Sequence, residues 1–331
     1  MDFHLRSGES WSSQGLEPGV TVILRTKDRP VLLRRAIGSI SGQHYRNLTL
    51  CIINDGGDRE DIEAAAASIP ADLKYEIVHH DTPVGQPAAL NVGLGRVTRQ
   101  YFAIHDDDDT WAPDFLTRMI AFLELPANRR FIGAICHCER VIEDVRGGGI
   151  QCLRREPYRS YPPVLALADM LDPLIHPPPI SHLMRQAAIG LAGSVNVDLP
   201  VMYDFEWTVR LLCKADIAAL PQTLAGYHYR PNAGVSDPAR NSVFNYEAEY
   251  SRIWTLLKNQ LLREDLSTGR FGLGMASAFV DIMRSIQNRV DTGLSDPITD
   301  YLKQRARLHA RRRQLRRFLE QPFRYLKKYF W

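Results

Sequence analysis

The sequence around residue 106 reads Tyr101-Phe-Ala-Ile-His-Asp-Asp-Asp-Asp-Thr-Trp-Ala-Pro113. Its apolar beginning predicts a buried β-strand, and four consecutive aspartates, Asp106 to Asp109, follow that strand directly. Adjacent carboxylates repel one another, so the arrangement is unfavourable unless a cation shares them. Mg²⁺ and Mn²⁺ prefer oxygen ligands and commonly share their coordination shell with substrate phosphates. The stretch therefore predicts a metal site at the carboxyl end of a strand, and a solvated acidic turn is the alternative.

The residues before this stretch repeat a pattern of apolar run, polar loop and amphipathic helix. The three earlier apolar runs lie at residues 20–24, 48–53 and 75–78. Strands this apolar are buried on both faces, which predicts a parallel sheet covered by helices. The polar loops Arg25–Arg29, Asn54–Asp58 and Asp106–Asp109 all follow strands. We therefore expect them to meet at one edge of the sheet, where α/β proteins bind ligands.

The pattern changes after Asp109. Two strands are expected at residues 131–143 and 150–155, an amphipathic helix at 203–212 and another strand at 217–228. From about residue 241 the chain reads as helical, in segments 243–264, 274–290 and 297–329. These features predict three regions, which are a loose N-terminus (1–17), an α/β domain (18–238) and a helical C-terminal region with a basic tail (239–331).

Composition and charge narrow the class of protein. Of the 331 residues, 45% are hydrophobic and 24% are charged, which is ordinary for a globular protein. The five cysteines are odd in number and suit buried thiols in a reducing compartment better than a disulfide framework. No long uncharged apolar run and no apolar signal core occur in the sequence. A cytoplasmic protein is therefore expected, either soluble or peripheral on the inner face of the membrane.

The basic residues are concentrated at the C-terminal end. Residues 301–331 carry a net charge of +10, which leaves −7 on residues 1–300 because the whole chain carries +3. Aromatic residues lie among these cations, and such segments suit an anionic membrane surface. The alternative is a helix that packs on the catalytic domain or on a second subunit in a homodimer. No nucleic-acid-binding module surrounds the cations, so we do not expect a nucleic-acid partner.

Five short segments between residues 22 and 207 combine strand ends, turns and polar side chains. They are Val22-Ile-Leu-Arg-Thr-Lys-Asp-Arg-Pro30, Ile52-Ile-Asn-Asp-Gly-Gly57, Gly85-Gln-Pro-Ala-Ala-Leu-Asn-Val-Gly93, Asp106-Asp-Asp-Asp109-Thr-Trp and Leu199-Pro-Val-Met-Tyr-Asp-Phe-Glu-Trp207. Each segment alone is a weak signal, but the set, in this order and spacing, resembles family 2 glycosyltransferases. The resemblance covers about residues 18–235 and implies a GT-A fold, which is Rossmann-like with a mostly parallel central sheet flanked by helices. A helical C-terminal extension would follow it.

The resemblance also implies an activity and a donor site. Family members are inverting enzymes that transfer a sugar from a nucleotide-sugar donor, here to a hydroxyl of a saccharide or lipid-linked saccharide acceptor. By this resemblance Asp108, together with Asp106, would bind Mn²⁺ or Mg²⁺. The expected nucleotide-sugar contacts are Arg25, Thr26, Lys27, Asp55, Asn91, Asp106 and Asp107. For Asp55 a plain turn role in Asn-Asp-Gly-Gly is equally open.

On the acceptor side, Asp204 aligns with the family's general base, which takes the proton of the attacking hydroxyl. Its alternative role is that of a first-turn acid in a helix. Glu206 is the second-choice base, and His228 and Arg230 align with a late basic segment that closes on the pyrophosphate. Two departures bear on specificity. Lys27 replaces a tyrosine that stacks on uracil, and Tyr203 replaces the acidic residue that usually precedes the base.

Two other functions compete with sugar transfer. A sugar nucleotidyltransferase would also use a parallel sheet and metal-binding carboxylates, but it needs a glycine-rich phosphate loop after the first strand, and Arg25–Pro30 contains no glycine. A peripheral membrane or scaffold protein with a non-catalytic nucleotide-sugar-binding domain would explain the basic tail but not the aspartates. The donor nucleotide, donor sugar, acceptor and linkage stay open at this point.

Overall fold

The computed structural model describes Trp11 and residues 17–171, 175–234, 237–241 and 247–291. The strands are β1 (Glu17–Thr26), β2 (Leu48–Asn54), β3 (Lys74–His79), β4 (Arg99–Asp106), β5 (Thr110–Trp111), β6 (Gly133–Arg146), β7 (Gly149–Arg159), β8 (His182–Arg185) and β9 (Ile217–Tyr229). The helices are α1 (Pro30–Ser41), α2 (Arg59–Ala66), α3 (Gln86–Leu94), α4 (Phe115–Glu124), α5 (Ala187–Ala192), α6 (Tyr203–Leu212), α7 (Glu247–Thr268) and α8 (Leu273–Asp291). The predicted helix at 297–329, the basic tail at 301–331 and most of the N-terminal region at 1–17 lie outside the described residues.

One sheet contains all of the described strands. Its order is β3-β2-β1-β4-β8-β6-β9-β5, and β7 pairs with β6 outside this path. From β3 to β4 neighbouring strands are parallel, and helices connect them along the chain, as the apolar runs predicted. In the register Thr26 lies opposite Asn54 and Arg25 lies opposite Asp106. The three polar loops therefore meet at the carboxyl edge of this parallel part, and the expectation of an α/β fold is confirmed.

The second half of the sheet is mixed in direction. β8 runs antiparallel to both β4 and β6, whereas β6 and β9 are parallel to each other. The expected strand pair around Gly147-Gly-Gly is the antiparallel hairpin β6–β7. Sequence periodicity did not reveal β5 or α5, because two and six residues are too short to show a repeat.

Local sequence features explain where α1 and α2 begin and which face of α1 is buried. α1 begins at Pro30, whose fixed φ suits the first turn of a helix. Its buried residues repeat at helical spacing, and they are Leu32, Leu33, Ala36, Ile37 and Ile40. All of them except Leu32 belong to the main hydrophobic core. Asp58 caps α2 by accepting from the backbone N–H groups of Glu60 and Asp61. These contacts fix where the loops after β1 and β2 leave the sheet.

The chain divides into two compact units, the first ending at Leu257 and the second beginning at Lys258. Within the second unit α8 packs on the end of α7. Lys258 pairs with Asp281 at 2.6 Å, and the Asp265 carboxylate accepts from the backbone N–H groups of Gly272 and Met275. Among the described residues no helix is long and apolar enough to cross a membrane.

The contact between α3 and β1 leaves no room for a side chain at Gly93. A Cβ there would lie 2.4 Å from Cγ2 of the buried Ile23, so Gly93→Ala is expected to lower the free energy of unfolding by about 1–3 kcal/mol. Gly38→Ala is the matched control, because no atom lies within 4 Å of its Cβ and the change should stabilise α1 by up to about 1 kcal/mol. Urea unfolding followed by circular dichroism compares the two. An unchanged midpoint for Gly93→Ala would contradict this tight packing.

Candidate active site

The Arg25 guanidinium joins the aspartate segment to α6. Arg25 is the next-to-last residue of β1 and lies opposite Asp106, the last residue of β4. Its Nη2 donates to Asp106 Oδ1 at 2.6 Å, and its Nη1 donates to the Tyr203 hydroxyl at 2.7 Å and to the Gln86 carbonyl oxygen at 3.1 Å. One side chain therefore connects the predicted metal ligand to the residue that precedes Asp204.

The next two aspartates contact the loop between β1 and α1. The Thr26 hydroxyl donates to Asp107 Oδ2 at 2.8 Å. Arg29 Nη1 lies 3.1 Å from Asp107 Oδ1 and 3.5 Å from Asp108 Oδ2. The structure thus brings Arg25, Thr26 and the aspartates into one cluster, as expected from the strand order. Sequence reasoning did not single out Arg29, although it lies in the same quoted segment.

A short segment of the chain, residues 237–241, lies against this cluster. Arg29 and Arg230 donate to three of its carbonyl oxygens, which are Pro238 (2.6 Å) and Arg240 (2.7 Å) for Arg29 and Ala239 (2.5 Å) for Arg230. Asn241 Nδ2 contacts Asp108 Oδ2 at 3.3 Å. The sequence gives no local signal for these contacts. Those of Arg29 and Asn241 join residues more than a hundred positions apart, and Arg230 donates to a backbone carbonyl oxygen, which any residue could supply.

Glu143 of β6 is a buried carboxylate beside the aspartates. It accepts hydrogen bonds from Arg35, His228 and Arg230, and Arg230 also pairs with Asp108. His228 and Arg230 therefore lie at the aspartate segment, and the pyrophosphate contact that the family resemblance implies for them stays a prediction. Sequence reasoning did not single out Glu143, which is the last residue of the strand predicted at 131–143 and follows two other charged residues in it, Glu139 and Arg140.

Burial and neighbouring charges shift the pKa values of the four aspartates in different directions. Burial raises the pKa of Asp106 and Asp107, with Arg25 and Arg29 respectively opposing it. Burial also acts on Asp108, but the charges of Arg230, Arg29 and Arg35 outweigh it and lower that pKa. Burial and the neighbouring carboxylates raise the pKa of Asp109 well above its ordinary value. Asp108 is thus the aspartate that the protein holds most firmly as a carboxylate.

Asp204 lies in the first turn of α6. Met202, immediately before the helix, has a φ of 64°, a strained value for a residue with a Cβ. Burial raises the pKa of Asp204, while the backbone N–H of Phe205 and the charge of Arg25 oppose this effect. Asp204 also borders a cavity of about 30 Å³ whose other lining includes Leu90, Phe102, Ile104, His182, Met184 and Trp207. This largely apolar setting is typical of a carboxylate that accepts protons.

Glu206 and Asn91 are engaged in contacts within the fold. Both oxygens of Glu206 accept from Arg210, at 2.6 and 2.9 Å. The Asn91 side chain accepts from the backbone N–H of Val195 at 2.8 Å and donates to its carbonyl oxygen at 2.9 Å. These contacts position α6 and α3. The ligand-binding roles expected for the two side chains stay predictions.

Asp55 and Lys27 lie in the loops after β2 and β1. The two oxygens of Asp55 accept from the backbone N–H groups of Val84 (2.7 Å) and Gly85 (3.1 Å), so it orders the loop before α3. Lys27 is exposed. The structural role that the sequence left open for Asp55 is therefore present, and a nucleoside contact from either residue stays a prediction.

The aspartates offer only part of a metal site. In the described ranges no group of three or more His, Cys, Asp and Glu side chains could hold an ion by itself. However, Asp106 accepts from Arg25 only through Oδ1, and Asp108 accepts its side-chain donors through Oδ2. Each carboxylate keeps a second oxygen. Two carboxylates fit Mg²⁺ or Mn²⁺, which take their other ligands from water and substrate phosphates.

Comparison with known proteins agrees with this fold. Residues 21–149 match the family model described as "Glycosyl transferase family 2". An uncharacterized glycosyltransferase of Haemophilus influenzae is 24% identical over 235 residues, covering 70% of this chain and 69% of the relative. The amylovoran biosynthesis glycosyltransferase AmsE of Erwinia amylovora is 26% identical over 206 residues, covering 62% and 73%. Two Rickettsia glycosyltransferases also match, but the aligned part covers only 40% and 39% of their lengths.

A solved structure shares the overall architecture. The mannosyltransferase PcManGT of Pyrobaculum calidifontis, solved with GDP-Man and Mn²⁺, superposes with a TM-score of 0.50 over 91% of this chain and 82% of its own. At 16% identity the likeness concerns the fold. The family match over residues 21–149 and the fold shared with PcManGT together support a family 2 glycosyltransferase with a GT-A fold.

Proposed function

We propose that this glycosyltransferase transfers a sugar from a nucleotide-sugar donor to a hydroxyl of a saccharide or lipid-linked saccharide, with inversion at the anomeric carbon and with a divalent metal. The observation that carries the proposal is the Arg25 bridge. It holds Asp106 and Tyr203 on one guanidinium, which brings the aspartate segment next to Asp204. A donor bound at the aspartates would thus present its sugar towards Asp204.

The residues proposed to hold the metal are Asp106 and Asp108. When bound there with the donor, Mn²⁺ or Mg²⁺ would neutralise charge that builds up on the departing nucleoside diphosphate. Asp106 and Asp108 supply hard oxygen donors for it, and Arg25, Arg29 and Arg230 supply further positive charge in the same cluster. PcManGT was solved with Mn²⁺ and GDP-Man, which supports both the metal and the donor class proposed for this chain.

Asp204 is proposed as the general base. It would take the proton from the acceptor hydroxyl while that oxygen attacks the anomeric carbon from the side opposite the leaving group. Such a single displacement inverts the anomeric centre. A base must be unprotonated yet basic enough to accept a proton, and burial shifts the pKa of Asp204 in that direction. The apolar wall beside Asp204 would keep water from competing with the acceptor.

On the donor side we propose that Thr26, Asp55, Asn91 and Asp107 contact the nucleotide sugar. Lys27, exposed at the loop after β1, would reach a phosphate or a base other than uracil. AmsE belongs to polysaccharide biosynthesis by its name, which supports a saccharide acceptor here. Peripheral binding to an anionic membrane through residues 301–331, and a homodimer, remain predictions that rest on residues outside the described part.

A thermal-unfolding screen of nucleotide sugars, run once with saturating Mn²⁺ and once with chelator, tests the proposed donor class. A ligand that binds only the folded protein raises the midpoint according to its concentration and affinity. We expect nucleotide sugars that share one base to raise the midpoint temperature of unfolding, and to raise it more with Mn²⁺ than with chelator. A protein that responds to none of the nucleotide sugars, or equally with chelator, would contradict the proposal of a metal-assisted donor site.

A further inference from the structure

We infer that Glu143 is the positioning residue of the metal site, because it holds residues 108–110 in the geometry that Asp108 needs to bind a divalent cation. The inference rests on the proposed function, in which Asp108 binds that cation. Glu143 lies on β6, more than thirty residues after the aspartates, and its sequence neighbourhood carries no recognised motif. Its contacts, however, all lead to the aspartate segment.

Glu143 is the centre of a buried charge cluster. Its side chain is 1% exposed. Oε2 accepts from Arg35 Nη1 at 2.6 Å and from His228 Nδ1 at 2.7 Å, and Oε1 accepts from Arg230 Nη1 at 2.8 Å. Three side chains, from α1, from β9 and from the residue directly after β9, thus donate to one carboxylate.

Each of these donors also contacts residues 108–110. Arg35 Nη2 donates to the Asp108 carbonyl oxygen at 2.5 Å, and Arg230 Nη2 pairs with the Asp108 carboxylate. Since His228 Nδ1 carries the proton that Glu143 accepts, its Nε2 accepts from the Thr110 hydroxyl, at 2.9 Å. One carboxylate therefore fixes the backbone of Asp108, its side chain and Thr110.

The negative charge of Glu143 is needed to balance Arg230 when Asp108 binds a cation. Arg230 is 1% exposed and has two counter-charges, Asp108 and Glu143. A divalent cation on Asp108 would repel Arg230 and take one of these partners. A buried guanidinium with no partner is strongly unfavourable. Glu143 remains as the second partner, so Asp108 can bind the cation while Arg230 stays in the site.

The test is Mn²⁺ binding by Glu143→Gln, measured by the electron paramagnetic resonance signal of free Mn²⁺ and without donor. Glutamine keeps the volume but loses the charge. Loss of a partner that orients a metal ligand typically weakens metal binding 10–100-fold. We expect a loss in this range, with turnover partly recovered at high Mn²⁺.

Glu124→Gln is the matched control. Glu124 also accepts from an arginine, Arg185, and from the Tyr101 hydroxyl, but it contacts no residue of the aspartate segment. This variant should lose stability without losing Mn²⁺ affinity. If Glu143→Gln does not fold, Mn²⁺ binding by Arg35→Lys tests the inference in its place. A lysine keeps the charge of Arg35 but cannot bridge Glu143 and the Asp108 carbonyl oxygen. We expect weaker Mn²⁺ binding from it too.

The outcomes separate this inference from the function on which it rests. A folded Glu143→Gln protein that binds Mn²⁺ as tightly as the wild type overturns the inference and leaves the metal role of Asp108 intact. The same holds for wild-type affinity in Arg35→Lys. A wild-type protein that binds no Mn²⁺, with or without a nucleoside diphosphate, overturns the proposed metal site and this inference together.

Discussion

Asp108→Ala is expected to abolish sugar transfer, with a loss of about 10³-fold or more in turnover. The charges of Arg230, Arg29 and Arg35 lower the pKa of Asp108 against the effect of burial, which favours the carboxylate form that a cation needs. A metal at a developing anionic leaving group contributes several kcal/mol to the transition state, and each 1.36 kcal/mol is about tenfold in rate. Release of nucleoside diphosphate, followed over a Mn²⁺ series and in chelator, measures the loss.

The same substitution removes ion pairs, so folding is measured alongside activity. Asp108→Asn keeps the side-chain volume and should also turn over poorly, because an amide oxygen binds a hard cation less strongly than a carboxylate does. Asp114→Asn is the surface control, since Asp114 lies outside the aspartate cluster and its carboxylate pairs with Arg118 of α4 at 2.7 Å. Full turnover in chelator, or an active and folded Asp108→Ala protein, would show that Asp108 has no metal role.

Asp204→Asn is expected to retain donor binding and to lose turnover by a factor on the order of 10² or more. Asparagine fits the space that Asp204 occupies in the first turn of α6, but it cannot take a proton from the acceptor. Calorimetric titration of the donor separates binding from turnover. Weakened donor binding together with near-normal turnover would indicate that Asp204 serves the donor and is not the base.

Glu206→Gln and the product configuration complete this test. Arg210 donates to both carboxylate oxygens of Glu206. Glu206→Gln should therefore lower turnover far less than Asp204→Asn does. If Glu206→Gln were instead the inactive variant, the base would be two residues further along α6. Nuclear magnetic resonance of the product reports the anomeric configuration, and retention would exclude the single displacement.

The positions of the strands and of the carboxyl-edge loops followed from local pattern. Continuous apolar runs predicted β1, β2 and β4, and the parallel pairing then required Arg25, Thr26, Asn54 and Asp106 to lie close together. This could be predicted because strand periodicity and the geometry of parallel connections act over a few tens of residues. Short or irregular elements such as α5 carry too few residues for a pattern and were missed.

By itself, then, the sequence determined the fold class, the edge where the polar loops meet and the aspartates that lie there. Only the tertiary structure decided what those aspartates contact. Arg25 reaches Tyr203 across 178 positions, and Arg230 reaches Asp108 across 122. Glu143 has no distinguishing sequence signal, and only the fold brings Arg35, His228 and Arg230 onto its carboxylate. Buried charges select their partners through the packing of distant elements, and the order of residues along the chain does not encode that choice locally.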